Sequence, residues 1–185
     1  GKILRVDPIT GDGLADNPFV QPGDNLDANS SKVYQLGFRN PFSMAFDEDG
    51  HLFVTNTGWN SYEEIESGPA GANFGWPYYE GGDNGVLRQT GGYEDLPGAA
   101  AFYEAVANGT ITITPAFRAF SHASADPGYQ IQAITGGDVV YSGSRYPAEL
   151  QDAIFFTDVV DGEVFIVNAN DSREVLKLYT TSGAP

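Results

Sequence analysis

The chain contains no cysteine, which excludes a disulfide framework, a cysteine-ligated metal and a thiol nucleophile. That lack is compatible with a bacterial exported protein. Cations are scarce: 9 Lys and Arg stand against 25 Asp and Glu, a formal net charge of -16. Nothing here could neutralise a run of phosphates, so nucleic acid is excluded as a partner, and anionic membrane surfaces are disfavoured. No long apolar run is present, so no membrane insertion is expected. The Asp-x-Asp-x-Asp-Gly spacing of an EF-hand, a Ser-His-Asp order and a Gly-rich phosphate loop are all missing. Asp7, Asp12 and Asp16 therefore read as turn residues. The acidic surplus suits a solvated exterior or calcium-rich surroundings.

What is present is β-structure. Lys2 to Val6 alternates apolar and basic residues, and Lys32 to Leu36 reads as its partner strand, across a loop rich in Pro, Gly, Asp and Asn. Phe42 to Phe46 and His51 to Asn56 follow, joined by the acidic turn Asp47-Glu48-Asp49-Gly50. Further strands are expected at Ile111 to Thr114, Ala116 to Phe120, Asp138 to Tyr141, Ala153 to Thr157, Glu163 to Asn168 and Val175 to Thr180. One short helix is expected at Ala99 to Ala107, inside an excursion over 78–110. The segments Phe42 to Phe120 and Ala133 to Thr180 share a plan of four short strands, and a repeated four-strand unit marks a propeller blade. The expected class is all-β: a partial β-propeller of four-stranded antiparallel blades. It comprises the end of one blade (1–38), a blade with a long insertion (39–120) and a further blade (131–181).

The stretch Leu36 to Pro77 organises the rest. It runs from the basic corner Arg39-Asn40-Pro41 through the hairpin to Thr57-Gly58-Trp59, the acidic segment Tyr62-Glu63-Glu64-Ile65-Glu66 and Asn73-Phe74-Gly75-Trp76-Pro77. In this order the residues resemble the soluble glucose/sorbosone and aldose sugar dehydrogenases that use pyrroloquinoline quinone (PQQ). Those are six-bladed β-propellers with calcium. Gly37-Phe38-Arg39-Asn40-Pro41, Val54-Thr55, Gly58, Glu64-Ile65 and Asn73 to Pro77 carry the resemblance, with weaker similarity at Gly1 to Pro8, Ala15 to Phe19 and Ile134 to Tyr141.

The resemblance implies a site. PQQ is a flat tricarboxylate quinone, so it needs fixed cations and donors, and Arg39 with Asn40 would contact it. The plainer alternative is that Arg39 pins a blade corner by bonding backbone carbonyls. Thr57 stands where glucose enzymes carry a longer polar cofactor-binding residue. The carbonyls of Gly58 and Trp59 would hold the cofactor-facing calcium, although the family commonly has Gly-Pro there. A second calcium would use Glu64 and the Phe74 carbonyl, with Glu80 and Gly82 as further carbonyl donors. Glu63 is expected to be solvated, Trp76 to wedge between blades, His51 to face solvent, and His122 to sit in a loop or line the tunnel.

Departures from the family are equally legible. The family's general base is a histidine that has no counterpart here, and the strand end that carries a cofactor-binding lysine reads Asp158-Val159-Val160-Asp161. Opening at Gly1-Lys2-Ile3, in the middle of a sheet, points to a piece of something longer. The implied activity is oxidation of aldoses to lactones by the intact protein, periplasmic or extracellular, with the isolated chain silent. The other reading is a non-catalytic, calcium-stabilised module binding carbohydrate or protein. An unclosed arc also requires remaining blades, or a second copy of the chain, against its apolar faces.

Overall fold

The computed structural model describes residues 1–81, 88, 92–123, 129–139, 143 and 145–180. Among these described residues ten strands form three antiparallel sheets. β1 (Lys2–Leu4) pairs with β2 (Val33–Leu36); β3 (Pro41–Phe46), β4 (Leu52–Asn56), β5 (Tyr62–Ser67) and β6 (Arg118–Ser121) form the second sheet in chain order. β7 (Ile134–Val139), β8 (Ala153–Asp158), β9 (Glu163–Asn168) and β10 (Asp171–Thr180) form the third in the same way. Consecutive meanders of this kind are propeller blades, and the sheets do not close into a ring. Helix α1 spans Ala99–Ala107 as its alanine-rich composition suggests, and packs Phe102 and Tyr103 on Tyr78.

Two expectations fail. Ile111 to Thr114 is β-branched, yet forms no strand: Ile113 is buried as a side chain and Thr114 N–H bonds the Asn73 carbonyl, because β5, read from the sequence only as an acidic segment, takes the third place in the sheet between β4 and β6. β10 begins at Asp171, four residues before the expected start at Val175, with its register broken between Asp171 and Val175. Val140 and Tyr141, the expected end of β7, lie outside the described residues.

Hydrophobic patterning explains the stacking. β4 is buried along its whole length because both its faces meet other sheets. Phe53 joins Ile65, Phe120, Ile134, Phe156 and Phe165 between the second and third sheets, where the Phe156 and Phe165 rings stack at 5.2 Å. Leu52 and Val54 point the other way, onto Phe38, Phe74 and Ile3. Glycine is required where the innermost strands meet: a Cβ on Gly136 would lie 2.0 Å from Ser43 Oγ. β3 shows a strict alternation, and its outer set, Phe42, Met44 and Phe46, is 65, 58 and 52% exposed.

Candidate cofactor and metal site

The site lies at one end of the second sheet, where the β2–β3 corner, the β4–β5 turn and the segment after Phe74 converge. Asn56 ends β4 and is 1% exposed. Its Oδ1 accepts the N–H groups of Arg39 and Asn40 at 3.1 and 2.9 Å, which fixes the corner. Its Nδ2 donates to Glu64 Oε2 at 2.7 Å and to Glu66 Oε1 at 3.3 Å. One amide thus ties the basic corner to the acidic strand.

Arg39 donates from Nη1 to the Thr57 carbonyl at 3.0 Å. Its guanidinium lies 4.9 Å from the Trp59 ring centroid and 5.8 Å from that of Trp76. Tyr93 meets Trp76 at 4.9 Å and the edge of Trp59 at 6.3 Å. The charge is therefore held on a bed of aromatic faces, which favours a fixed fork over a mobile one. Asn40 is exposed beside it. Trp76, expected to wedge between blades, packs in this cluster and donates its N–H to the Gly37 carbonyl at 2.9 Å. The Thr57 hydroxyl donates to the Ile134 carbonyl at 2.9 Å, tying the second sheet to the third.

β5 passes between β4 and β6, so none of its three glutamates reaches bulk water. Glu63, Glu64 and Glu66 are 1, 5 and 2% exposed, and Glu80 is 3% exposed. Alternation along the strand sends Glu64 and Glu66 to one face and Glu63 to the other. The expectation that Glu63 is solvated is thus wrong. Its Oε2 accepts Ile134 N–H at 2.9 Å and Gly58 N–H at 3.2 Å, and its Oε1 meets His122 Nε2 at 3.0 Å. His122 is thereby a bound, half-buried imidazole whose pKa is raised chiefly by that bond. His51 faces solvent beside Asp47, as its hairpin position suggests.

Burial, added to by the Glu80 and Glu63 charges and opposed by the Gly81 N–H, pushes Glu64 up to about 8. Burial and the Glu64 charge hold Glu66 well above the carboxylate range. Among the described residues the fully buried charged side chains are five acids and one arginine, Arg118. So large a surplus of buried negative charge calls for protons or a cation. Glu66 Oε2 is buried without a hydrogen-bond partner, and Glu64 Oε1 accepts the Gly81 N–H, so the acidic face is directed toward the segment after Phe74. Hard carboxylate and carbonyl oxygens in this setting fit calcium. No group of three or more His, Asp or Glu among the described residues forms a ready metal cage, so carbonyls must complete the ligand set. Phe74 is buried at the start of that segment. Gly82 lies outside the described residues.

Asn56, Glu63, Glu66, Tyr93 and His122 are the residues that sequence reading left out of the site. Sequence reading took Tyr62 to Glu66 as an acidic segment rather than a strand, and only as the central strand β5 are its three glutamates all withdrawn from water.

Fold and site together define a class, a β-propeller arc carrying an arginine corner above buried carboxylates. The profile of the Glucose / Sorbosone dehydrogenase family matches residues 1–179, and the chain belongs to that family. Quinoprotein glucose dehydrogenase B of Acinetobacter calcoaceticus is 36% identical over 112 residues, 60% of this chain and 20% of that protein. The HIPL2 protein of Arabidopsis thaliana is 31% identical over 94 residues, 44% of this chain and 14% of that protein. The PQQ-bound aldose sugar dehydrogenase of Streptomyces coelicolor shares the fold with a TM-score of 0.57 at 18% identity, over 98% of this chain and 40% of that one. The soluble aldose sugar dehydrogenase of Escherichia coli, solved in its apo form, gives 0.60 at 18% identity, over 98% and 45%. The chain therefore spans a fifth or less of these curated relatives and under half of the solved structures it matches.

Proposed function

We propose that this chain is the cofactor- and calcium-holding arc of a PQQ-dependent sugar dehydrogenase-like protein that oxidises aldoses to lactones outside the cytoplasm. The observation that carries the reading is the Asn56 bridge, which locks the Arg39-Asn40 corner onto the buried Glu64 and Glu66 carboxylates. When bound, the quinone supplies the hydride acceptor and calcium the Lewis acid that polarises it. Arg39 would hold a carboxylate or quinone oxygen with the donors left after its bond to Thr57, and Asn40 would donate beside it. Gly58 and Trp59 would present carbonyls to the cofactor-facing calcium. Glu64, with the carbonyls of Phe74, Glu80 and Gly82, would hold a second calcium that neutralises the buried acids. Trp59, 51% exposed, would put a flat apolar face next to the proposed cofactor position.

A second reading has its own support. Val159 and Val160 are 60 and 58% exposed at the end of β8, and the Asp158 carboxylate accepts the backbone N–H groups of Gln132, Ala133 and Val160. The Asp158-Val159-Val160-Asp161 strand end itself carries no cation for a tricarboxylate, and the nearby Lys177 is engaged by Glu163 at 2.7 Å, which suits a calcium-stabilised binding module. Dye-linked aldose oxidation by a propeller containing this arc, with PQQ and calcium added, separates the two. Oxidation that requires both additions supports the enzyme; silence with intact calcium binding leaves the module.

A further inference from the structure

Two successive peptide N–H groups of the β4–β5 turn each donate to a different buried carboxylate. Gly58 N–H donates to Glu63 Oε2 at 3.2 Å, and Trp59 N–H to Glu80 Oε1 at 2.5 Å. A trans peptide is planar, with its C=O directed opposite its N–H. An N–H pinned to a buried carboxylate therefore aims the carbonyl of the same peptide away from that carboxylate. For the first peptide this carbonyl belongs to Thr57, and it takes a cation, the Arg39 guanidinium, at 3.0 Å. For the second it belongs to Gly58.

The turn has little freedom to present anything else. A Cβ on Gly58 would lie 1.5 Å from the Tyr62 carbonyl oxygen and 2.9 Å from Glu80 Oε1. A carboxylate accepting one end of a peptide also polarises it, so the oxygen at the other end binds a cation more strongly.

We propose that Glu80 is a positioning residue, which through the Trp59 N–H sets the Gly58 carbonyl as the cation-facing donor of the cofactor site. This deepens the calcium reading above and rests on it. It assigns to the Glu80 side chain a role separate from any ligand role of its backbone. It also depends on Trp59 having an N–H, which a proline at that position would lack. Glu63 and Thr57 show the same device already engaged, with Arg39 as the cation.

Terbium, an oxygen-seeking ion of calcium's size, tests this in the whole 185-residue chain. Its luminescence, sensitised by the nearby indole of Trp59, reports occupancy of this site, and the Trp59 amide resonance reports the Glu80 bond. Glu80→Met removes the acceptor while filling the space, and Glu80→Gln restores an acceptor oxygen. The expected result is at least tenfold weaker sensitised terbium binding in Glu80→Met, an upfield move of the Trp59 amide, and recovery of both to within threefold or near the parent shift in Glu80→Gln. Should Glu80→Met fail to fold, a downfield move of the Trp59 amide as calcium is added to the parent chain supports the proposal, and its constancy overturns it. Equal terbium affinity in a folded Glu80→Met overturns it while leaving calcium binding intact. No sensitised binding by the parent chain overturns both the proposal and the calcium reading beneath it.

Discussion

Asn56 Nδ2 donates to Glu64 Oε2 at 2.7 Å in the buried seam between β4 and β5, directly across the register pair that the two residues form. The other end of the same amide accepts from Arg39 and Asn40. The cofactor corner and the metal carboxylates thus share one side chain, so a change at either should be felt at the other.

Asn56→Leu removes both sets of bonds at once. It leaves two part-buried N–H groups, which water can partly serve, and a buried carboxylate without its amide, the last costing about 1–3 kcal/mol. The expected loss is roughly 2–4 kcal/mol in urea denaturation, with an unchanged denaturant slope. A loss below about 0.5 kcal/mol, the scale of a neutral surface change, would mean that the bridge carries no weight.

The metal-free chain should lose stability as pH rises. Folded Glu64 holds its proton up to about 8, whereas the unfolded chain releases it near the ordinary value of 4.5. Between those values the folded state carries the extra proton, so stability falls by roughly 1.4 kcal/mol per pH unit for each proton retained. His122, raised by Glu63, acts in the same direction, contributing stability below its unfolded value that is lost as pH passes its folded one. Chelator-treated chain should therefore melt at lower temperature at pH 8 than at pH 5. Calcium should reverse the trend, because it binds the deprotonated carboxylates.

Calcium itself should raise the melting temperature in proportion to the logarithm of its concentration above Kd. Glu64→Gln keeps the shape but removes the charge, and should abolish most of that rise while stabilising the metal-free form. A melting temperature indifferent to chelator in the parent chain would remove calcium from Glu64.

The row Phe42, Met44 and Phe46 lies on the same face as Leu52 and Val54, which Ile3, Phe38 and Phe74 cover. Three exposed large side chains on one strand invite a covering partner. The chain should self-associate at micromolar concentration, and Met44→Lys should shift sedimentation toward monomer. A parent chain that sediments as a monomer at all concentrations would show that the row is tolerated in water.

Most of the fold was legible because period-2 alternation and turn chemistry act locally. Phe42 to Phe46 against His51 to Asn56, and Ala153 to Thr157 against Glu163 to Asn168, needed only apolar spacing and Gly-containing turns. Ile111 to Thr114 misled because β-branching reports a preference, while a strand also needs a free neighbour. In the site, Arg39, Asn40 and Glu64 stood out through motif order. Glu63 did not, because its partners Ile134 and His122 are 71 and 59 residues away, and no local pattern announces them. The Glu80 bond to Trp59 was hidden likewise, since a side chain accepting a backbone N–H leaves no residue-type trace at the donor.

The measurement closest to the central claim is a PQQ titration, followed by quinone absorbance, of the calcium-saturated chain and its Arg39→Ala variant. One charge-assisted contact is worth about 1.5–3 kcal/mol, so the variant should bind about ten- to a hundredfold more weakly, with the parent arc itself binding modestly and oxidising no sugar. Equal affinity in the two would make Arg39 a structural corner held by Thr57 and the tryptophans, and would contradict the assignment of this site to the cofactor.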